Sequence, residues 1–149
     1  MNMRVMEGVE LQRHRRIATG KGDVLHALKC TDAGYAGFGE VYFTEVHQGA
    51  VKGWKRHNRM TLNLVVVSGR VGFVIYDDRE ASATRGEFVE VELGCPVGYS
   101  RLTVAPGLWM AFYGKAPGTS MVMDVTTEVH DDAEADRMEL SDLKYDFAI

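Results

Sequence analysis

The chain has 149 residues and a formal net charge of −4, with 46% hydrophobic and 26% charged residues. That length supports a hydrophobic core, and the composition excludes a disordered chain. The negative balance excludes a general nucleic-acid binder, which needs a basic surface to neutralise phosphates.

The one basic run, Arg13-His14-Arg15-Arg16, is short and reads as a solvated strand edge or loop. No signal-peptide pattern opens the sequence, and its apolar runs, 64–67 among them, are too short to cross a bilayer. A cytoplasmic protein without a membrane partner is expected. Cys30 and Cys95 stand far apart, in no metal-ligand spacing.

Residues 23–29 carry a strand pattern, and 40–47 alternate as a half-buried strand does. Gln48-Gly49 turns the chain into 50–54. The runs 62–68 and 71–76 flank Gly69-Arg70 and read as a hairpin, with Gly69 supplying the positive φ of a tight turn. A polar loop follows over 80–86, and 88–93 alternates strictly. Further strands are expected at 101–104, 108–113 and 120–126, separated by Ala105-Pro106-Gly107 and by a turn at 115–118. Charges cluster from 131 to 141, and 132–140 reads as a short surface helix. Roughly nine or ten short strands with helix only near the end predict an all-β sandwich, jelly roll or barrel, as one domain over 1–149.

The densest chemistry lies in Val51-Lys52-Gly53-Trp54-Lys55-Arg56-His57-Asn58-Arg59. On a barrel strand every second side chain points inward. Lys55 and His57 then share one face and Arg56 takes the other, unless a bulge at Gly53 shifts the phase. A hollow lined by Lys and His suits phosphate binding and proton transfer near neutral pH. Taken alone, such a charged run reads equally well as a solvated loop.

Four segments occur in order: 49–57, 67–79, 104–112 and a tail from Glu134 through 140–147. Together they resemble the dTDP-4-dehydrorhamnose 3,5-epimerase family and the related dTDP-4-keto-6-deoxyhexose 3,4-ketoisomerases, over about residues 38–147. The resemblance implies a cupin-type jelly-roll barrel, a homodimer, and a nucleotide-diphosphate sugar held in the barrel without a cofactor. It also implies proton removal beside the ketone of a 4-keto-6-deoxy sugar.

By the same resemblance His57 is the main acid/base. The family's late Asp, which orients the catalytic His, corresponds to Asp142, for which a helix or turn cap is the other reading. Lys55 steadies the enolate oxygen or serves as base, and Lys52 and Arg59 hold the diphosphate. Trp109 is either a stacking wall or plain core, and Tyr42 and Tyr76 are candidates to supply a phenol.

The chain also departs from the family pattern. Lys52-Gly53-Trp54-Lys55 stands where the epimerases carry Arg-Gly-Leu-His, and the late-strand Tyr falls near Met123. The family's Pro-Gly-x-x-His becomes Pro106-Gly107-Leu108-Trp109-Met110. These departures keep open a barrel that binds a sugar nucleotide without turnover. Metal-binding cupins need several imidazoles and a Glu, and His57 with Met110 does not supply them, so no metal is expected.

Overall fold

Alternating apolar and polar residues bounded by glycine turns form twelve strands in the computed structural model, which describes residues 2–149. In chain order they are β1 (Asn2–Met6), β2 (Val9–Arg13), β3 (Arg16–Ile17), β4 (Val24–Leu25), β5 (Glu40–His47) and β6 (Val51–His57). Then come β7 (Leu62–Tyr76), β8 (Phe88–Cys95), β9 (Ser100–Val104), β10 (Trp109–Gly114), β11 (Thr119–Thr126) and β12 (Ala135–Arg137). Two 3-10 turns, Asp132–Glu134 and Leu140–Asp142, are the helical part among the described residues.

Ten of the strands build two antiparallel walls, and β3 pairs with β4 apart from them. The first runs β1-β2-β9-β7-β11-β5, and the second runs β8-β7-β10-β6-β12. β7 belongs to both. Its first half pairs with β9 and β11; from Gly69 onward it pairs with β8, and from Val71 with β10.

The hairpin expected at Gly69-Arg70 is therefore corrected to one strand of 15 residues that changes sheets. Gly69 does have φ +89, and a Cβ there would collide with the Ser120 side chain. The glycine permits a sharp corner between walls rather than a reversal.

Two further corrections concern the ends. The hairpin of β1 and β2, closed by Glu7-Gly8, carries no alternation strong enough to read from sequence, and of 23–29 only Val24–Leu25 is a strand. The helix expected over 132–140 does not form. Ala135–Arg137 instead lies along β6, with Ala135 opposite His57 and Arg137 opposite Lys55. Tertiary pairing overrides a helix-compatible composition.

Val9, Val66, Phe73, Ile75 and Leu102 are completely buried between the walls. A second cluster lies on the outer face of the second wall, where Trp54, Val74, Trp109, Ala111 and Tyr113 are covered by Met138, Leu143, Tyr145 and Phe147. Phe147 meets Trp54 at 5.9 Å between ring centroids, and the Tyr145 hydroxyl donates to Glu90 Oε2 at 2.5 Å. Burying an aromatic of this size stabilises by roughly 2–3 kcal/mol, so the last segment is a packed strap. Among the described residues no helix is long and apolar enough to cross a membrane.

Candidate active site

The phase of β6 decides what faces the barrel interior. Met110 on β10 stands opposite Lys55, but Phe112, two residues on, stands opposite Lys52, three residues back. One extra β6 residue at Gly53-Trp54 makes a bulge, which re-aims the strand. Lys52, Lys55 and His57 consequently all reach one cavity, while Trp54 and Arg56 turn to the outer face.

That cavity has a volume of about 330 Å³, within the range of small-molecule sites. The first wall contributes Tyr42, Thr44, Leu62, Leu64, Val122 and Asp124. The second contributes Lys52, Lys55, His57, Met110 and Phe112, and His130 stands at the rim. Cations and an imidazole thus sit on one side of an otherwise largely apolar hollow.

His57 is held by a residue that sequence reasoning did not select. Its Nδ1 lies 2.6 Å from Oε1 of Glu134, whose side chain is fully buried. The other oxygen, Oε2, accepts the backbone N–H of Arg59 at 2.7 Å and of Met60 at 3.0 Å. Burial opposes the Glu134 charge, but these donors and the His57 ring outweigh it and hold the carboxyl down at about 2.

An ionised carboxylate only accepts, so Nδ1 of His57 carries the hydrogen and Nε2 is the free base. Burial, more than the opposing pull of Glu134, lowers the His57 pKa, with Lys55 and His130 adding to the effect. The ring is therefore neutral at neutral pH. Lys55 is likewise lowered by burial and then by Arg137, with Asp124 and Glu134 opposing.

Across the cavity Tyr42 donates its hydroxyl to Asp124 Oδ2 at 3.0 Å. Asp124 lies on β11 directly between Tyr42 of β5 and Leu64 of β7, and it is 6% exposed. Burial pushes its carboxyl up to about 7, even though Tyr42 and Lys55 favour the charge. Burial, followed by the Asp124 charge, raises the Tyr42 phenol, so it stays protonated.

Four expected site residues lie elsewhere. Asp142 is exposed and accepts the Glu139 backbone N–H at 2.9 Å, capping a 3-10 turn rather than reaching His57. Trp109 faces outward because its neighbours Met110 and Phe112 face inward; its Nε1 donates to Asp78 Oδ2 at 3.0 Å and Arg56 stacks on its ring at 4.6 Å. Tyr76 packs in the same outer cluster, 4.5 Å from the Phe88 ring. Arg59 is exposed and pairs with Glu128 at 3.1 Å and Asp131 at 3.6 Å, away from the cavity lining.

The sequence did place a Glu at 134 within the resembling tail, but a helical reading hid its approach to β6. For Asp124 the alternation of 120–126 was the available signal, since it puts Asp124 and Val122 on one face. Among the described residues no three His, Cys, Asp or Glu side chains gather as a metal-ligand set.

The fold is a cupin-type all-β barrel whose hollow holds a carboxylate-supported histidine among lysines. The chain belongs to the family of dTDP-sugar isomerases and epimerases that includes the dTDP-4-dehydrorhamnose 3,5-epimerases. A dTDP sugar isomerase from Desulfovibrio desulfuricans is 36% identical, with 91% of this chain and 86% of that chain covered and a TM-score of 0.86.

The fold recurs in a dTDP-4-dehydrorhamnose 3,5-epimerase from Sulfolobus tokodaii (19% identity, 99% and 86% covered, TM-score 0.84). It recurs again in a 3'-monoepimerase from Streptomyces bikiniensis (19% identity, 95% and 74% covered, TM-score 0.83). Among curated proteins, a probable low-salt glycan biosynthesis epimerase of Haloferax volcanii is 27% identical over 96 residues, 64% of this chain and 61% of that protein's length. No family model matches the chain.

Proposed function

We propose that the protein is an enzyme that isomerises or epimerises a nucleotide-linked 4-keto-6-deoxy sugar in deoxysugar or surface-polysaccharide synthesis. The observation that carries this reading is the neutral His57, whose Nε2 is the free base in a cavity shared with Lys52 and Lys55. A dTDP sugar isomerase that is 36% identical over most of both chains supports the substrate class.

In this reading His57 removes the proton on a carbon beside the ketone, and Glu134 stabilises the imidazolium that forms. Lys55 steadies the negative oxygen of the enolate. Lys52, near the bulge and more exposed, takes the diphosphate. Arg59, Asp142, Trp109 and Tyr76 have no part.

The test is to offer dTDP-4-keto-6-deoxyglucose in deuterated water and follow carbon-bound deuterium by NMR. Incorporation that is lost in His57→Asn is the expected result. Tight dTDP binding with no incorporation by the wild-type protein would leave a binding barrel without turnover.

A cytoplasmic homodimer goes with this reading. Val41 and Phe43, exposed on the outer face of the edge strand β5, support a subunit contact. Light scattering of the purified protein measures it.

A further inference from the structure

The mechanism above leaves the carboxyl of Asp124, which lines the cavity, unused. We infer that Asp124 is the proton donor facing His57: its carboxyl delivers a proton to the ketone oxygen while His57 Nε2 takes the proton from the neighbouring carbon. This rests on the isomerase reading of the same cavity and assigns its second catalytic residue.

The argument starts from the pairing of β11. Asp124 has Tyr42 beside it on one side and Leu64 on the other, so its side chain emerges at the middle of the first wall and lines the hollow. Lys55 and His57 line the hollow from the opposite wall. Oδ2 is committed to the Tyr42 hydroxyl, whereas Oδ1 is buried and finds no hydrogen-bond partner within the protein. Buried carboxylate oxygens are nearly always paired, so an oxygen left without a partner disfavours the ionised form of this cavity-lining side chain.

The proton can sit on only one oxygen. While Oδ2 accepts from Tyr42, a protonated Asp124 carries its hydrogen on Oδ1. The elevated carboxyl, near 7, keeps a large fraction of the protein in that form at neutral pH. The titratable groups around it are Tyr42 on β5, Lys52, Lys55 and His57 on β6, and His130 beyond β11. Among the described residues Asp124 is the one acid lining the cavity.

The step balances without any co-reactant. The C–H bond beside the ketone breaks and its proton goes to His57 Nε2. The electron pair left behind forms a C=C bond, and the carbonyl π pair moves to oxygen, which takes the proton of Asp124 to give an enol. Asp124 is then a carboxylate held by the Tyr42 hydroxyl and attracted by the Lys55 ammonium. When the enol returns its proton to Asp124 and the carbon regains one, an isomer leaves with no atom gained or lost.

The experiment follows deuterium incorporation into dTDP-4-keto-6-deoxyglucose between pH 5.5 and 9 for wild type, Asp124→Asn and Tyr42→Phe. The wild-type rate is expected to fall as pH rises through about 7, because the protonated acid is then lost. Asp124→Asn is expected to lose about 100-fold or more in rate, to keep its calorimetric affinity for dTDP within about threefold, and to show no such fall in what remains. Tyr42→Phe removes a donor that favours the anion, so the fall moves up by about one pH unit.

An Asp124→Asn rate within about threefold of wild type, or an alkaline limb unmoved in Tyr42→Phe, overturns the inference while the isomerase reading stands. No incorporation by the wild-type protein overturns both.

Discussion

His57 and Glu134 stand 77 positions apart in the chain, yet Nδ1 of one lies 2.6 Å from Oε1 of the other. The contact exists because β12 runs antiparallel to β6 with Ala135 opposite His57, which delivers the preceding residue to the ring. Glu134 sets the tautomer and offsets the positive charge that the ring acquires on taking a proton. Glu134→Gln keeps the shape and removes the charge. Its expected consequence is a fall of at least about tenfold in turnover, against a fall of about 100- to 10,000-fold for His57→Asn. Steady-state rates with dTDP affinity measured in parallel check both.

The same carboxylate links stability to acid. Its folded pKa, about 2, lies below the ordinary 4.5, so ionisation is easier in the folded state. The stabilisation is complete above pH 4.5 and is lost as pH falls toward 2, with a span of up to roughly 3 kcal/mol. Urea denaturation from pH 2 to 6 is expected to show this slope in wild type and a flatter one in Glu134→Gln.

Asp124 has the opposite sign. Its folded pKa, about 7, lies above the ordinary 3.8, so the folded state resists ionisation. The wild-type protein carries no such penalty below pH 3.8, and the penalty grows until pH passes 7. Asp124→Asn escapes it. Relative to wild type, the variant is expected to gain on the order of 3 kcal/mol between pH 4 and pH 8, which thermal melts at the two pH values measure.

The placement of the cations separates Lys52 from Arg59. Lys52 lines the cavity beside the bulge, whereas Arg59 is engaged by Glu128 and Asp131. Lys52→Ala is expected to weaken dTDP binding about tenfold, as loss of a charge-assisted hydrogen bond does. Arg59→Ala leaves the affinity within about twofold, since exposed ion pairs contribute little. Isothermal titration calorimetry distinguishes them.

Asp142 caps a turn through its contact with the Glu139 N–H. Asp142→Ala is expected to cost about 1 kcal/mol or less in urea denaturation and to leave turnover unchanged.

Much of the barrel was legible because its signals are local. The alternation of 40–47 and 120–126 and the glycine turns fix which side chains face inward, and Lys55 and His57 fell on one face as expected. Of the two readings of Trp109, the strand phase decides for core: in β10 the inward residues are Met110 and Phe112, which leaves Trp109, Ala111 and Tyr113 in the outer cluster. Glu134 was hidden for a different reason. The segment 131–141 is short and highly charged, and only its pairing with a strand more than 70 positions earlier makes it extended. Likewise Gly69 announces a positive φ, but whether the chain reverses or turns a corner there depends on partners from β8, β10 and β11.

The strap formed by β12 and the aromatic segment gives synthesis of this protein a built-in order. Strands β1 to β11 precede Glu134 in the chain, so His57 is made 77 residues before its charged neighbour. Until β12 pairs with β6, the imidazole of His57 has no carboxylate to set its tautomer.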